Sequence, residues 1–261
     1  MIYILGGDGF VGSAYVRYCQ QNSINYVSIN RNNYSQYIGT KCDVFINANG
    51  NSKKYLAESD ELYDFDASVR SVKSSLLDFD YELYIYLSAC DVYANLSSSA
   101  HTKEDSEIDI VGISKYGFHK FLSELCVKYS SQKWLIFRMG GFVGPNLIKN
   151  PIFDIINNKS LWLSLDSRFQ FMHTDSAAKI VFSIIDRTIV NEIYNLAGSG
   201  VVKLSEISKL ANKEMLTENS LEKVVYNISI DKLSKIISVP KSYPIVKEFI
   251  PLKNGRDTTI F

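Results

Sequence analysis

The stretch Gly6-Gly7-Asp8-Gly9-Phe10-Val11-Gly12 decides the fold class of this chain. The apolar run Ile2–Leu5 precedes it. Residues 10–20 follow it with apolar side chains spaced by three and four, as on one face of a helix. Glycine is needed where a chain turns with positive φ and where backbone must approach a pyrophosphate, and the free N–H groups of the next helix attract that anion. The stretch therefore predicts a dinucleotide-binding turn, with contacts from Gly6, Gly9, Phe10, Val11 and Gly12.

Strand and helix patterns alternate after this turn. Helices are predicted at residues 65–77 and 115–129, and apolar strand segments at 26–29, 44–46, 83–87 and 134–137. Such alternation predicts an α/β fold, a doubly wound parallel sheet of the Rossmann type with a small C-terminal lobe. We predict a dinucleotide-binding domain over residues 1–145 and a mainly substrate-binding lobe over 146–261, with a segment near 170–200 returning to the sheet.

The second and third predicted strands are unusually close in sequence. Only about a dozen residues separate residue 29 from Val44, and a parallel crossover alone needs that many. A further strand and helix do not fit into this interval. We therefore expect a shortened sheet edge on the side where the adenine would bind.

Composition excludes several classes of partner. Lys plus Arg and Asp plus Glu both number 28, so no net charge attracts nucleic acid or an anionic membrane. No apolar stretch reaches membrane-spanning length, and no targeting segment is recognisable. The four cysteines are scattered without metal-ligand or disulfide spacing: Cys19, Cys42, Cys90 and Cys126. We expect a cytoplasmic protein with no metal site and neither a nucleic-acid nor a membrane partner.

The end of the second strand indicates which dinucleotide is bound. An NAD site usually places Asp or Glu there to hold the ribose 2′-hydroxyl, but this chain has no acidic residue between Asp8 and Asp43. It has Asn30 and Arg31 instead, and a guanidinium suits a 2′-phosphate. NADP(H) is therefore favoured over NAD(H), unless Arg31 is only a solvated surface charge. The loop after the third strand adds two expected cofactor contacts, Ala48 and Asn49.

A second pattern lies on the predicted helix 115–129. Tyr116 and Lys120 are four residues apart, so their side chains share one face. A nearby ammonium lowers the pKa of a phenol and makes it usable as an acid or base near neutrality. This spacing also occurs by chance in many helices, so the pair alone does not establish catalysis.

Six segments of the chain, taken in order, carry a family resemblance. They are Gly6–Gly12, Leu87–Tyr93, the Tyr-x-x-x-Lys-x-x-x-Glu segment Tyr116–Glu124, Phe137–Pro145, Phe171–Ala178 and Tyr194–Gly198. Together they resemble the extended short-chain dehydrogenase/reductases, the NAD(P)-dependent epimerases, dehydratases and reductases of nucleotide sugars. The resemblance covers nearly the whole sequence. It implies that the substrate is a nucleotide-activated sugar.

The resemblance also implies site residues and an assembly. Tyr116 would be the catalytic acid/base with Lys120 assisting, and the substrate contacts would come from Asp91, Gly141, Phe142 and Arg168. Phe169 occupies the position of the family's diphosphate-binding arginine, so Arg168 either reaches the diphosphate from a loop or is a surface charge. The helices 65–77 and 115–129 would pack in a homodimer interface.

One departure from the family bears on catalysis. Ala89 stands where the family has a catalytic Ser or Thr, whose hydroxyl stabilises charge on the reacting oxygen. Ser88 is the candidate to replace it, but in a regular strand it points to the opposite side, so it would need a bulge or bend. Either Tyr116 and Lys120 work with another donor, or the protein is slow or non-catalytic. Losing one such donor costs about 10²–10³ in rate.

Within the family, the sequence favours a reductase. Positions 89 and 90 lack the Asp that dehydratases carry beside the catalytic Thr, and Arg31 suits NADPH, the cofactor of net reduction. We expect reduction of a 4-keto nucleotide sugar. The alternatives are a nucleotide-sugar epimerase, which retains its cofactor, and a non-catalytic NAD(P)-binding sensor, which Ala89 would permit.

Overall fold

The computed structural model describes residues 1–51, 53–215 and 221–254. Its strands are β1 (Ile2–Leu5), β2 (Tyr26–Ile29), β3 (Lys41–Asn47), β4 (Asp80–Ala89), β5 (Trp134–Met139), β6 (Gly141–Val143), β7 (Arg168–Phe169), β8 (Phe171–His173), β9 (Glu192–Leu196) and β10 (Val202–Lys203). Its helices are α1 (Gly12–Gln21), α2 (Lys54–Ser59), α3 (Glu61–Phe65), α4 (Ser71–Asp78), α5 (Lys115–Ser130), α6 (Pro151–Ile156), α7 (Thr174–Ile185), α8 (Leu204–Leu210), α9 (Asp231–Ser234) and α10 (Ser242–Asn254). A π-helical turn, Asp66–Arg70, joins α3 to α4.

The central sheet has six parallel strands in the order β2-β1-β3-β4-β5-β9. Both of its faces are covered, as parallel sheets require. Alternate residues of β4 show this directly, because Ile85 and Leu87 pack in one hydrophobic core and Tyr84 and Tyr86 in the other. The predicted doubly wound fold is therefore present.

The sheet ends at β2, as the short spacing predicted. Residues 30–40 contain only the 3₁₀ turn Tyr34–Gln36 before β3 pairs with β1 on its other side. Within the described part of the chain no strand lies beyond β2. The end of β2 is consequently open to solvent on its outer side.

A second lobe is built from the C-terminal half. The parallel pair β6–β8 and the antiparallel pair β7–β10 form its two small sheets. Side chains from β6, α6, α8 and α10 share its apolar core. The chain returns to the main domain through α7, which packs on α1, and through β9, which pairs with β5. The domain boundaries at residues 145 and 146 stay a prediction, and residues 255–261 lie outside the described chain.

The glycine turn lies where the two lobes meet. Phe10, inside the turn, packs against both the main core and the core of the second lobe. The second lobe therefore contacts the main domain beside the carboxyl ends of the strands, where ligands of such sheets bind, and we call this region the cleft. None of the helices that the structure describes is long and apolar enough to cross a membrane.

Candidate active site

The glycine turn packs so tightly against neighbouring backbone that side chains are excluded at two positions. Gly6 has φ +81°, and a Cβ there would approach the Ala48 carbonyl group to 3.1 Å. A Cβ on Gly12 would stand 2.1 Å from the Gly6 carbonyl oxygen. Helix α1 begins here without a side-chain cap, and the N–H groups of Ser13 and Ala14 donate to the carbonyls of Gly9 and Val11. This arrangement fits the diphosphate of a dinucleotide, and it brings together the predicted contacts Gly6, Gly9, Phe10, Val11, Gly12 and Ala48.

The end of β2 holds an acidic group that the sequence analysis missed. The Asp8 carboxylate accepts a hydrogen bond from Asn30 Nδ2 at 2.7 Å and from Ser28 Oγ at 3.4 Å. No acidic residue directly follows β2 in sequence, but the fold brings one there from the glycine turn. Arg31 is exposed beside this group and forms no hydrogen bond or ion pair with the described residues. Opposite charges therefore flank the place of the ribose 2′ position.

The loop after β3 approaches the catalytic pair. Asn49 donates from its amide Nδ2 to Ser71 Oγ at 2.7 Å, which fixes the predicted cofactor contact in place. Gly50 comes next, and a Cβ there would stand 3.0 Å from Lys120 Nζ. Since only glycine permits this approach, the loop holds the cofactor side of the cleft close to Lys120.

Helix α5 places Tyr116 through two local features. Ser114 caps the helix, because its Oγ accepts from Gly117 N at 3.1 Å. Gly117 lets the helix pack onto the 3₁₀ turn Cys90–Val92, since a Cβ on it would lie 2.1 Å from the Asp91 carbonyl oxygen. This packing brings Tyr116 against Ala89 and Ala57.

Tyr116 and Lys120 face the same space, as predicted. The Lys120 ammonium lies 5.8 Å from the centre of the Tyr116 ring and 5.4 Å from that of Tyr86. Burial lowers the pKa of Lys120 to about 8, although the Asp64 carboxylate opposes this. No described residue accepts a hydrogen bond from this ammonium, which fits a role in binding the ribose hydroxyls of a nicotinamide cofactor.

The pKa of Tyr116 is shifted in the direction opposite to the prediction. Burial is the main cause and the Asp91 carboxylate adds to it, so the pKa lies above its ordinary value in spite of the nearby Lys54 ammonium. The prediction rested on the lowering effect of positive charge, whereas burial of the phenol is the larger effect. Without cofactor, Tyr116 is therefore protonated at neutral pH.

The structure does not bring Ser88, the predicted substitute donor, to Tyr116. β4 runs without a bulge to Ala89, so Ser88 points away from Tyr116, and its Oγ donates to Glu124 Oε1 at 2.6 Å. Glu124 is buried and also accepts from Arg138, whose Nη2 lies 2.8 Å from Oε2. The family's helix glutamate and strand arginine thus form a structural ion pair beneath the site, to which Ser88 belongs.

Asp91 lies in the cleft, joined to two residues that the sequence analysis did not identify. Its Oδ1 accepts from Lys54 Nζ at 2.5 Å and from the Tyr226 hydroxyl at 2.7 Å. Lys54 also donates to the Tyr226 hydroxyl at 2.7 Å. Tyr226 is 135 positions from Asp91, so no local spacing signals this triangle.

A second ammonium lies close to Lys54. Burial lowers the pKa of Lys149 to about 8, and the positive charges of Lys53 and Lys54 lower it further. Three lysines, two at the start of α2 and one before α6, thus share one region of the protein. Such a cluster favours an anionic ligand.

The other predicted substrate contacts, Arg168, Gly141 and Phe142, do not join the side-chain group formed by Asp91, Lys54 and Tyr226. Arg168 is exposed on β7, and its neighbour Phe169 stacks on the Tyr226 ring with centres 5.3 Å apart. Gly141 packs tightly on β8, where a Cβ would lie 2.7 Å from the Gln170 carbonyl oxygen. The ring of Phe142 belongs to the main hydrophobic core, so the structure does not bring it to Tyr116.

His119 is buried on α5, and its Nδ1 lies 2.7 Å from Asp64 Oδ2. Among the described residues, no group of three or more His, Cys, Asp and Glu side chains is arranged to hold a metal ion.

Comparison with known proteins identifies the family. The model of the NAD dependent epimerase/dehydratase family matches residues 2–197. The chain belongs to this family. The resemblance carried by the six sequence segments is thereby confirmed, and the glycine turn and the Tyr116–Lys120 pair lie within the matched range. No curated protein sequence matches the chain.

Solved structures share the fold of this family member over its whole length. UDP-galactose 4-epimerase superposes with a TM-score of 0.78 at 19% identity, covering 98% of this chain and 99% of that one. MoeE5 in complex with UDP-glucuronic acid and NAD gives 0.80 at 11% identity over 96% of both chains. dTDP-4-dehydrorhamnose reductase from Bacillus anthracis str. Ames in complex with NADP gives 0.75 at 14% identity, over 96% of this chain and 97% of that one. These matches confirm the predicted fold class.

Proposed function

We propose that this chain is an NADP(H)-dependent reductase of a 4-keto nucleotide sugar. The observation that carries the proposal is the position of the Tyr116 phenol beside the Lys120 ammonium, which lies 5.8 Å from the ring centre, at the carboxyl edge of the sheet. A group that holds its proton at neutral pH is suited to donate it, which is what carbonyl reduction requires. The first step of an epimerase needs a base at the same position.

The chain's own residues divide the reaction between them. When bound, a reduced nicotinamide would supply the hydride for the substrate's carbonyl carbon. As the C=O π pair moves onto oxygen, that oxygen takes the phenolic proton of Tyr116, and the carbonyl becomes an alcohol. Lys120 stabilises the resulting phenolate electrostatically and holds the cofactor's ribose by hydrogen bonds. Tyr116 recovers its proton from solvent after the product leaves.

The lysine cluster supports a nucleotide diphosphate as the anionic part of the substrate. The positive charges of Lys53 and Lys54 lower the pKa of Lys149, so the three side chains lie in one region of positive potential, which attracts an anionic substrate. Arg168 adds a further positive charge on β7. A structural neighbour, MoeE5, binds UDP-glucuronic acid, which is a ligand of this class.

The cofactor preference rests on Arg31. Its free guanidinium can pair with a 2′-phosphate through up to five N–H donors. The Asp8 carboxylate repels a phosphate, but Asn30 and Ser28 already donate hydrogen bonds to it. We infer that the attraction of Arg31 for the 2′-phosphate exceeds the repulsion by Asp8. Solved neighbours bind NAD or NADP. The dissociation constants of NADPH and NADH test this choice, and equal or tighter binding of NADH would overturn it.

We also propose that the chain is cytoplasmic and forms a homodimer. Helices α4 and α5 pack side by side and leave large apolar side chains exposed, among them Leu77, Leu125 and Tyr129, of which Tyr129 is 89% exposed. A partner copy of the same chain would cover them. All four cysteines are free, as in proteins of a reducing compartment. Light scattering of the purified chain tests the dimer, with a monomer at micromolar concentration as the contrary result.

Net cofactor turnover tests the proposed reaction. The native chain is mixed with NADPH and a 4-keto nucleotide sugar, and both NADPH loss and alcohol product are followed. A reductase consumes one NADPH for each alcohol formed. Interconversion of sugar epimers without net NADPH loss would show an epimerase, and no reaction with any nucleotide sugar would support the sensor. A thermal-shift panel of UDP, dTDP, GDP and CDP selects the nucleotide beforehand.

A further inference from the structure

The catalytic site lacks a second hydrogen-bond donor at its usual place. Ala89 packs against Tyr116 and has no hydroxyl, and Ser88 is committed to Glu124 on the other side of the strand. A carbonyl oxygen that becomes negatively charged is stabilised by donors fixed in advance around it. The Tyr116 hydroxyl alone would have to do this, unless another element brings a donor to the site.

Helix α2 brings an ammonium to the rim of this site. Ala57 packs against Ala89 and Tyr116, and Lys54 precedes it by three residues, which places both on one face of the helix. Lys54 Nζ lies 5.9 Å from the centre of the Tyr116 ring. The lysine therefore lies beside the phenol, on the helix face that packs against Ala89 through Ala57.

Two partners fix this ammonium and leave one donor free. Lys54 Nζ donates to Asp91 Oδ1 at 2.5 Å and to the Tyr226 hydroxyl at 2.7 Å, and the Tyr226 hydroxyl in turn donates to Asp91. An ammonium has three N–H donors, so one of them has no partner in this triangle. The Lys54 side chain is 51% exposed, which leaves that donor open to the cleft.

The charge of Lys54 is secure at neutral pH. Partial burial disfavours the ammonium, but the Asp91 carboxylate and the Tyr226 hydroxyl outweigh this and raise the pKa of Lys54 above its ordinary value. A hydrogen bond from a charged donor is stronger than one from a neutral hydroxyl. The group is thus a permanent cation held at one position.

We propose that Lys54 donates the hydrogen bond to the substrate's developing oxyanion that Ala89 cannot give, with Asp91 and Tyr226 as its positioning residues. The inference rests on the proposed reductase function and assigns the second donor of that same site. It also accounts for a second oxyanion donor in a chain that has alanine at position 89 and retains the Tyr116–Lys120 pair.

The test combines removal of Lys54 with restoration of the hydroxyl. Lys54→Met keeps the length of the side chain and removes the donor. We expect kcat for ketone reduction to fall about 10²–10³-fold, as for loss of one oxyanion donor, with little change in substrate KM or in NADPH affinity. In the double variant Lys54→Met/Ala89→Ser, the new hydroxyl should recover at least about tenfold of that loss.

Lys115→Met is the matched control. Lys115 is the residue before Tyr116, and its exposed ammonium pairs with Glu61 at 3.0 Å outside the cleft. This variant removes the same charge and should keep the native kcat. Circular dichroism melting of each variant shows that it is folded.

Three outcomes would overturn the proposal. An unchanged kcat in Lys54→Met excludes the donor role, and a raised KM with unchanged kcat assigns Lys54 to the diphosphate instead. If Lys54→Met lowers kcat equally in the native chain and in the Ala89→Ser variant, the lysine and the new hydroxyl do not share a function. In each of these cases, ketone reduction by the native chain shows that the reductase function itself stands. If the native chain does not reduce the ketone, both the reductase function and the role of Lys54 are overturned.

Discussion

Gly117 and Asp91 touch so closely that a Cβ on Gly117 would lie 2.1 Å from the Asp91 carbonyl oxygen. This contact packs α5 against the turn after β4. The packing fixes Tyr116 at the cleft and holds Asp91 within hydrogen-bond distance of Lys54. In a helix interior, alanine is ordinarily favoured over glycine by about 1 kcal/mol. Gly117→Ala should nonetheless lower the Tm, because the clash is with rigid backbone, and lower kcat at least about tenfold by displacing Tyr116. Thermal melting and steady-state kinetics measure both, and an unchanged Tm would contradict the contact.

The buried Glu124–Arg138 pair should dominate the stability beneath the site. Both side chains are almost completely buried, so Glu124→Ala leaves an uncompensated guanidinium and should destabilise the fold by about 3–5 kcal/mol. Urea unfolding measures this. The exposed pair Lys41–Glu82 is the control, where Glu82→Ala should cost about 0–1 kcal/mol. Similar costs at the two sites would refute the structural role assigned to Glu124.

Two opposite changes at the end of β2 should move the cofactor preference in opposite directions. Arg31→Ala should weaken NADPH binding about 10–100-fold, the value of one charge-assisted contact, and leave NADH binding nearly unaltered. Asp8→Asn should strengthen NADPH binding, because it removes a negative charge facing the 2′-phosphate while it keeps an oxygen acceptor for Asn30. Fluorescence titration with both nucleotides checks this. A loss of both affinities in Arg31→Ala would mean that Arg31 does not read the phosphate.

NADPH affinity should fall as the pH rises through about 8. Burial lowers the pKa of Lys120 to about 8, so its ammonium is charged below that pH and loses its proton above it, together with its attraction for the ribose and phosphates. Lys120→Met should bind more weakly and lose this dependence. The pKa of Lys149 is also lowered to about 8, so Lys149→Met serves as the control. This variant should retain the pH dependence of NADPH affinity. A flat profile in the native chain would contradict the prediction.

Local sequence patterns were sufficient to predict the fold class and part of the candidate site. The glycine turn, the pair Tyr116–Lys120 and the shortened edge before β3 all follow from spacing within short segments, where backbone geometry dictates which side chains meet. The structure places each of them as predicted. Family membership is confirmed by the model that matches residues 2–197.

The rest depended on contacts between distant segments. Asp8 reaches the end of β2 through the fold, and Tyr226 joins Lys54 and Asp91 from a part of the chain with irregular structure. The pKa of Tyr116 depends on how deeply the helix is buried, which spacing does not reveal. Ser88 was assigned to catalysis because its neighbour lacks a hydroxyl, but a regular strand turned it toward Glu124.

The central claim, that Tyr116 donates the proton in ketone reduction, is tested most directly by Tyr116→Phe. This variant keeps the ring that packs on Ala89 and removes only the hydroxyl. With NADPH and a 4-keto nucleotide sugar, kcat should fall at least about 10²-fold, as for loss of a positioned proton donor, while the dissociation constant of NADPH stays the same. An unchanged kcat in a folded Tyr116→Phe variant would contradict the account.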